Sequence, residues 1–336
     1  VESRPTKIVN DRELITLKGS SSQINDSVSS TGKYSEEGVE VVSFNVPSLH
    51  INNSPQFFSS INRGEASYIG GLNLRMERNL FGINKFRNED LYVGHFFSDN
   101  KNGLGFYSVN PIKSKSNPKN LLYESYNGTW MNNKKHGLGT YVWIEEQKSN
   151  KEIEGCNMDA FIGAFDNDQM HRGLYLEKTE EVFCAYYGNF NTEGQKHDSK
   201  ALLYDNENDR VFRAKFENGE LIQGFLVVFK EEEIDWVGFI AFGKEGPKAI
   251  TTEKFIEKET LSKIKEESKE FRRILFEDDC FGKCYGNAKA LLQERSKLQE
   301  MKKERLNSEE GYNEVSSLIG NTSEQDAFKS LFKILG

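Results

Sequence analysis

One five-residue pattern limits what this chain can fold into: aromatic, any residue, Gly, any residue, aromatic. It occurs as Tyr92-Val93-Gly94-His95-Phe96, Tyr126-Asn127-Gly128-Thr129-Trp130, Phe161-Ile162-Gly163-Ala164-Phe165 and Tyr186-Tyr187-Gly188-Asn189-Phe190. A weaker copy, Tyr68-Ile69-Gly70-Gly71-Leu72, precedes them. Two more follow, at Phe212–Phe216, where Ala214 replaces the glycine, and at Trp236–Ile240, around Gly238. The central positions 70, 94, 128, 163, 188, 214 and 238 are spaced by 24, 34, 35, 25, 26 and 24 residues. The two long intervals carry polar insertions near Asn110–Asn120 and Glu145–Asn157, and removing about ten residues from each restores the period. A fixed period of this length marks a repeat architecture in which each unit buries its apolar face only against its neighbours.

Each copy has a second half about ten residues on. It reads Asn102-Gly103-Leu104-Gly105-Phe106-Tyr107 in the second copy and His136-Gly137-Leu138-Gly139-Thr140-Tyr141 in the third. The other copies are looser, and the fifth, near His197–Lys200, lacks both glycines. A strand alternates its side chains between two faces, so both aromatics of a copy share one face with the glycine between them. Glycine leaves room there for a neighbouring ring to lie over the backbone. The Asn-, Asp- and Gly-rich link supplies turn positions with positive φ, and the Gly-Leu-Gly segment returns as a second strand. One copy is thus one β-hairpin, and hairpins of this size need neighbours to be stable.

These copies resemble the MORN repeat, whose pattern is roughly Tyr-x-Gly-x-Trp/Phe, a short gap, then His-Gly-x-Gly-x-aromatic. The third copy, Tyr126 through Gly139, matches nearly every position, and the second lacks only the His. The resemblance spans about Glu65 to Gly246. The expected fold is mainly β with an α-helical C-terminal tail: an elongated single-layer antiparallel sheet of about seven such hairpins, an open solenoid. Gly70, Gly94, Gly128, Gly163, Gly188 and Gly238 are its structural glycines.

Three segments follow from composition: a mostly flexible arm at 1–60, the repeat array at 61–247, and a charged amphipathic helical tail at 248–336. The arm is rich in Ser, Asn and Asp, and its one β-branched stretch, Val39–Val46, is either a chance stretch of a solvated tail or an added edge strand. The 60 residues Thr251–Glu310 hold 14 Lys and Arg and 14 Asp and Glu, the mark of solvent-facing helices. Thr252–Phe276 places Ile256, Ile264, Phe271, Ile274 and Leu275 on a narrow stripe, with Thr252 as its N-cap. Asn287–Leu306 and Ser323–Leu335 read as further helices, the last presenting Phe328, Leu331, Phe332 and Leu335. Asp278–Gly286, with Gly282 and Gly286, reads as a turn. These helices carry too little apolar surface to fold alone, so they must dock on the sheet or on another protein.

No chemistry-bearing motif is present. The sequence has no phosphate-binding Gly-rich loop, no dinucleotide fingerprint, no nucleophile elbow and no His-Glu-x-x-His. Cys280-x3-Cys284 has no nearby His to complete a zinc set, and His95, His136, His171 and His197 read as residues packed within their hairpins. The expectation is therefore no catalytic residue, no metal and no cofactor. A net charge of −8 argues against nucleic acid as a partner. No apolar run approaches the length of a membrane span. Four cysteines imply a reducing, cytoplasmic setting.

What remains is a binding surface. The aromatic row is either the repeat's own core or, in part, an open groove for a helical or extended segment of a protein partner. The groove candidates are Tyr92, Phe96, Tyr126, Trp130, Phe161, Phe165, Tyr186 and Phe190. The resemblance implies a non-catalytic scaffold or adaptor in a cytoskeletal, ciliary or cell-cortex assembly. A second reading is peripheral association with acidic phospholipid through Lys113, Lys115, Lys119, Lys134 and Lys135. A third is a fragment of a longer MORN-containing enzyme. Two open sheet edges also favour end-to-end association of copies.

Overall fold

The computed structural model describes residues 33–36, 39–45, 57–63, 66–113, 120–147, 156–179, 182–243 and 246–299. The chain is mostly β. Strands β1 (Lys33–Glu36), β2 (Val39–Asn45) and β3 (Phe57–Arg63) precede the repeats. Seven hairpins follow. They are β4 (Ala66–Leu72) with β5 (Arg78–Lys85), β6 (Leu91–Phe97) with β7 (Asn100–Ser108), and β9 (Asn120–Met131) with β10 (Lys134–Gln147). Next come β11 (Cys156–Asp166) with β12 (Gln169–Lys178) and β13 (Phe183–Asn189) with β14 (Asp198–Asp205). The last two are β15 (Arg210–Glu217) with β16 (Glu220–Lys230) and β17 (Glu233–Gly243) with β18 (Gly246–Thr252). The short β8 (Ile112–Lys113) lies in the first insertion and pairs with β9.

Each strand pairs antiparallel with its neighbour in sequence, and β7 passes over β8 to pair with β9. The result is one long open meander. It extends N-terminally of the expected array. The strand expected at the edge, Val39–Val46, runs Val39–Asn45 and lies inside the sheet, paired with both β1 and β3. Its β-branched residues suit a strand with partners on both sides.

The hairpin turns between β6 and β7, β9 and β10, and β11 and β12 are two residues long. Both turn residues have positive φ: Ser98 and Asp99 at 46° and 66°, Asn132 and Asn133 at 51° and 69°, Asn167 and Asp168 at 50° and 74°. These are the primed turns whose twist matches that of the strands. Each of these turns also bonds to the return strand of the hairpin before it. Asp99 Oδ1 accepts from the Arg78 amide at 2.7 Å, Asn133 Oδ1 from the Lys101 amide at 2.7 Å, and Asp168 Oδ1 from the Lys135 amide at 2.8 Å. In return the amides of Asp99, Asn133 and Asp168 donate to the carbonyls of Arg78, Lys101 and Lys135. A turn residue of one hairpin thereby fixes the register of the hairpin before it.

Among the described residues, two helices follow the sheet, α1 (Lys258–Phe276) and α2 (Cys280–Gln299). The expectation that they must dock is met on the sheet itself. Ile264, Phe271, Ile274 and Leu275 of α1, and Cys280, Phe281, Cys284, Tyr285 and Ala288 of α2, share one apolar cluster with Val142, Ile162, Leu176, Tyr187, Tyr204 and Val227 of the sheet. Arg272 of α1 reaches Asp209 with two bonds, Nε to Oδ1 at 3.0 Å and Nη2 to Oδ2 at 2.9 Å. Arg213 of β15 donates to the buried Glu267 of α1.

Three local readings of the tail need correction. Thr252 precedes a single 3-10 turn at Glu253–Phe255 without a side-chain cap, and α1 begins after Glu257. The turn expected across Asp278–Gly286 is confined to residues 277–279, and Gly282 and Gly286 lie within α2. The Asp279 carboxylate accepts the Gly282 amide at 3.1 Å and caps the helix. Burial of Cys280, Phe281, Cys284, Tyr285 and Ala288 outweighs the roughly 1 kcal/mol that each interior glycine costs. The second helix therefore starts at Cys280 instead of Asn287. Residues beyond Gln299, including the expected helix at Ser323–Leu335, lie outside the described residues, as do Lys115 and Lys119.

Candidate functional site

Strand register aligns the repeat glycines into a rail that crosses the sheet. Gly70 pairs with Gly82, Gly82 with Gly94, Gly94 with Gly105, Gly105 with Gly128, Gly128 with Gly139, Gly139 with Gly163, Gly163 with Gly173 and Gly173 with Gly188. Ala201 and Ala214 then pair with each other where the later copies lose the glycine. The first aromatic of each of the first five hairpins lies on this rail, whereas Gly238 pairs with Leu226 and Thr252 and stands off it. A Cβ at Gly105 would meet the Tyr92 ring at 2.4–2.6 Å, and one at Gly139 would meet the Tyr126 ring at 2.4–2.6 Å. Only glycine admits an approach this close.

The rings form one continuous edge-to-face stack along the array. Tyr68, Phe96, Tyr92, Trp130, Tyr126, Phe165, Phe161, Phe190, Tyr186 and Phe216 follow each other with centroid separations of 4.9–5.6 Å. This is the favoured geometry for aromatic quadrupoles. Each tyrosine of the rail also donates its hydroxyl to the carbonyl three residues on: Tyr68 to Gly71 at 2.8 Å, and Tyr92 to His95, Tyr126 to Thr129 and Tyr186 to Asn189, each at 2.9 Å. Burial pushes these four phenols far above their usual range, so they stay neutral donors.

The packing corrects one expectation. Tyr92, Phe96, Tyr126, Trp130, Phe161, Phe165, Tyr186 and Phe190 are at most 8% exposed. They are the array's core, not an open groove. The glycine rail lets each ring sink onto the sheet, and its neighbours close over it.

Basic residues complete the packing at the turn end of the stack. Lys101 is 5% exposed and stands over Trp130 at 4.4 Å and Tyr107 at 4.7 Å. Arg78 stands over Phe96 at 4.9 Å, Lys135 over Tyr141 at 4.9 Å and Lys196 over Tyr186 at 5.4 Å. Of the lysines considered for lipid, Lys135 is thus turned onto the rings, while Lys113 and Lys134 are exposed. Burial pulls the Lys135 ammonium below its usual range. Its folded value lies below the unfolded one, so the charged form is the penalised one. That penalty is full at neutral pH and fades as pH rises through the folded value. Met170 and Leu221 occupy the matching position opposite Phe165 and Phe216. Lys135→Met should therefore hold or raise stability at pH 7, by up to about 1 kcal/mol, with the gain shrinking at alkaline pH. Urea unfolding at pH 7 and pH 10 measures both, and a loss at pH 7 would mean that the cation–π contact outweighs desolvation.

The opposite face offers exposed apolar side chains. Phe97, Leu104 and Met131 are 65%, 42% and 38% exposed on adjacent strands β6, β7 and β9, near the turns. Phe97 and Met131 each directly precede a two-residue turn, where Asp166 and Glu217 stand in later hairpins. Alternation carried this signal: a residue next to a stacked aromatic must point away from it.

Reactive groups are few. Among the described residues, no group of three or more His, Cys, Asp or Glu could hold a metal ion. Burial pushes the Cys184 thiol up, which keeps it protonated. His95 Nδ1 lies 3.1 Å from the Leu104 carbonyl, as expected of a hairpin histidine, whereas His136 faces the Asp166 carboxylate at 3.3 Å. No described helix is long and apolar enough to cross a membrane. The MORN repeat family model matches residues 92–108 and 126–145, which fall on the hairpins β6–β7 and β9–β10. No curated protein matches the chain.

Proposed function

We propose that this chain, which is a MORN-repeat protein, is a non-catalytic binding module that docks an apolar segment of a partner protein. The observation that carries this reading is the exposed apolar strip of Phe97, Leu104 and Met131 on a sheet whose other aromatic face is closed. Isolated exposed apolar residues are ordinary, but three on neighbouring strands of one face form a patch of the kind that marks interaction sites. The strip lies within the two hairpins that match the repeat family. An extended or helical segment suits a surface built from parallel rows of side chains. By resemblance to MORN arrays, the partner belongs to a cytoskeletal, ciliary or cortical assembly.

The test is co-purification of the full chain from its native cells, compared with a Phe97→Ser/Met131→Ser variant. Both substitutions are at exposed sites, so folding should be unchanged within about 0.5 kcal/mol. A partner that uses the strip should be depleted by about tenfold or more, in line with loss of interface anchors. An unchanged set of partners removes this reading. Retention on anionic vesicles by both forms, with no protein partner lost, would favour the lipid reading instead.

A further inference from the structure

The apolar helix-side face of the sheet continues from the strands under α1 and α2 to β5. On the side of the sheet that carries α1 and α2, strands β5, β6 and β7 present Phe81, Ile83, Val93 and Phe106. These four are 1–4% exposed. Side chains so fully shielded on the outward face of a sheet require a covering layer.

The path of α2 shows where that layer comes from. Phe281 packs on Phe183 of β13, with centroids 5.8 Å apart. Lys289 stands over Tyr123 of β9 at 5.1 Å. Arg295 donates to Ser108 Oγ at 3.2 Å and to the Val109 carbonyl at 2.5 Å, at the end of β7, and also to the Glu89 carbonyl before β6. The helix therefore crosses the sheet strand by strand toward its N-terminal end. Fourteen residues of helix advance about 21 Å, and five strand spacings from β13 to β7 amount to about 24 Å. Four residues after Arg295, α2 ends at Gln299, and 37 residues follow it. Among those residues Phe328, Leu331, Phe332 and Leu335 recur at helical spacing.

We propose that the C-terminal segment 300–336 docks in cis on the helix-side face of β5–β7, seating Phe328, Leu331, Phe332 and Leu335 against Phe81, Ile83, Val93 and Phe106. The segment extends the layer begun by α1 and α2 and leaves the strip at Phe97 and Met131 uncovered. This inference does not depend on the binding reading above.

Hydrogen exchange on the full chain tests it. In a Phe328→Asp/Phe332→Asp variant, amides of β5–β7 should exchange faster by about tenfold or more, while those of β12–β16 keep their rates. A Lys329→Glu/Lys333→Glu variant, altered between the apolar positions, should match the parent. Unchanged exchange in β5–β7 of the aspartate variant overturns the proposal. If that variant unfolds as a whole, lysine crosslinking of the parent chain decides. Links from Lys329 or Lys333 to Lys85 or Lys134, on the helix side, support the docking, and links only to the ladder side overturn it.

Discussion

Replacing Gly139 with valine should destabilise the array by about 3 kcal/mol or more, among the largest effects of any single substitution in the sheet. Its Cβ would fall 2.4 Å from the Tyr126 hydroxyl oxygen and 2.5 Å from a ring carbon. Tyr126 has nowhere to move. Trp130 and Phe165 flank its ring at 5.1 Å on either side, and its hydroxyl is held by the Thr129 carbonyl. Because each ring touches the next, displacement of one propagates to both neighbouring hairpins. A second glycine provides the control. Nothing lies within 4 Å of a Cβ built at Gly286. Gly286→Ala should therefore be neutral or stabilising by up to about 1 kcal/mol, through helix propensity alone. Urea midpoints of the two variants should move in opposite directions or differ several-fold in size. Equal midpoints for Gly139→Val and the parent would dismiss the rail as a packing device.

The second large effect concerns the helical layer. Glu267→Ala should cost about 3–5 kcal/mol, because it strands the Arg213 guanidinium under α1 with no carboxylate. The side chains of this pair are only 15% and 4% exposed. The informative comparison is the double variant Arg213→Met/Glu267→Leu. Removing both charges together should restore much of the loss, since an apolar pair of similar volume is often neutral or better. A double-mutant cycle followed by thermal unfolding separates the two cases. Additive losses would mean that the two residues contribute independently and that the pair does not join α1 to β15.

The hairpin array was legible in the sequence because its signal is periodic. Glycine between two same-face aromatics is a local statement, and seven copies in phase leave one architecture. The rail, too, follows from registering those glycines. The closure of the stack was not legible. Whether Tyr126 and Trp130 bound a groove or fill a core depends on how deeply each ring sinks onto the glycines of the return strand. That depth is a tertiary distance, with no counterpart in spacing. Strands β1 and β3 lie outside the period and have no tight turn residues, so composition alone placed them in the arm. The extent of α2 was obscured by Gly282 and Gly286, two residues that disfavour a helix locally. Packing of Phe281 and Tyr285 on distant strands decided it. Phe97 and Met131 were visible as apolar residues before turns, but their exposure follows from which face the helices cover, and that is set by α1 and α2.

The meander has a kinetic consequence. Nearly every sheet pairing joins segments adjacent in sequence, so a growing sheet closes only short loops. Once one hairpin has formed, its outer strand is a template for the next, and structure can spread in both directions as in a one-dimensional zipper. The Arg295 clasp is of another kind: it ties α2 to Ser108 across 187 residues of chain. That contact closes a loop spanning most of the array, which the zipper must largely complete first. The molecule thus assembles quickly along its length and locks last across it.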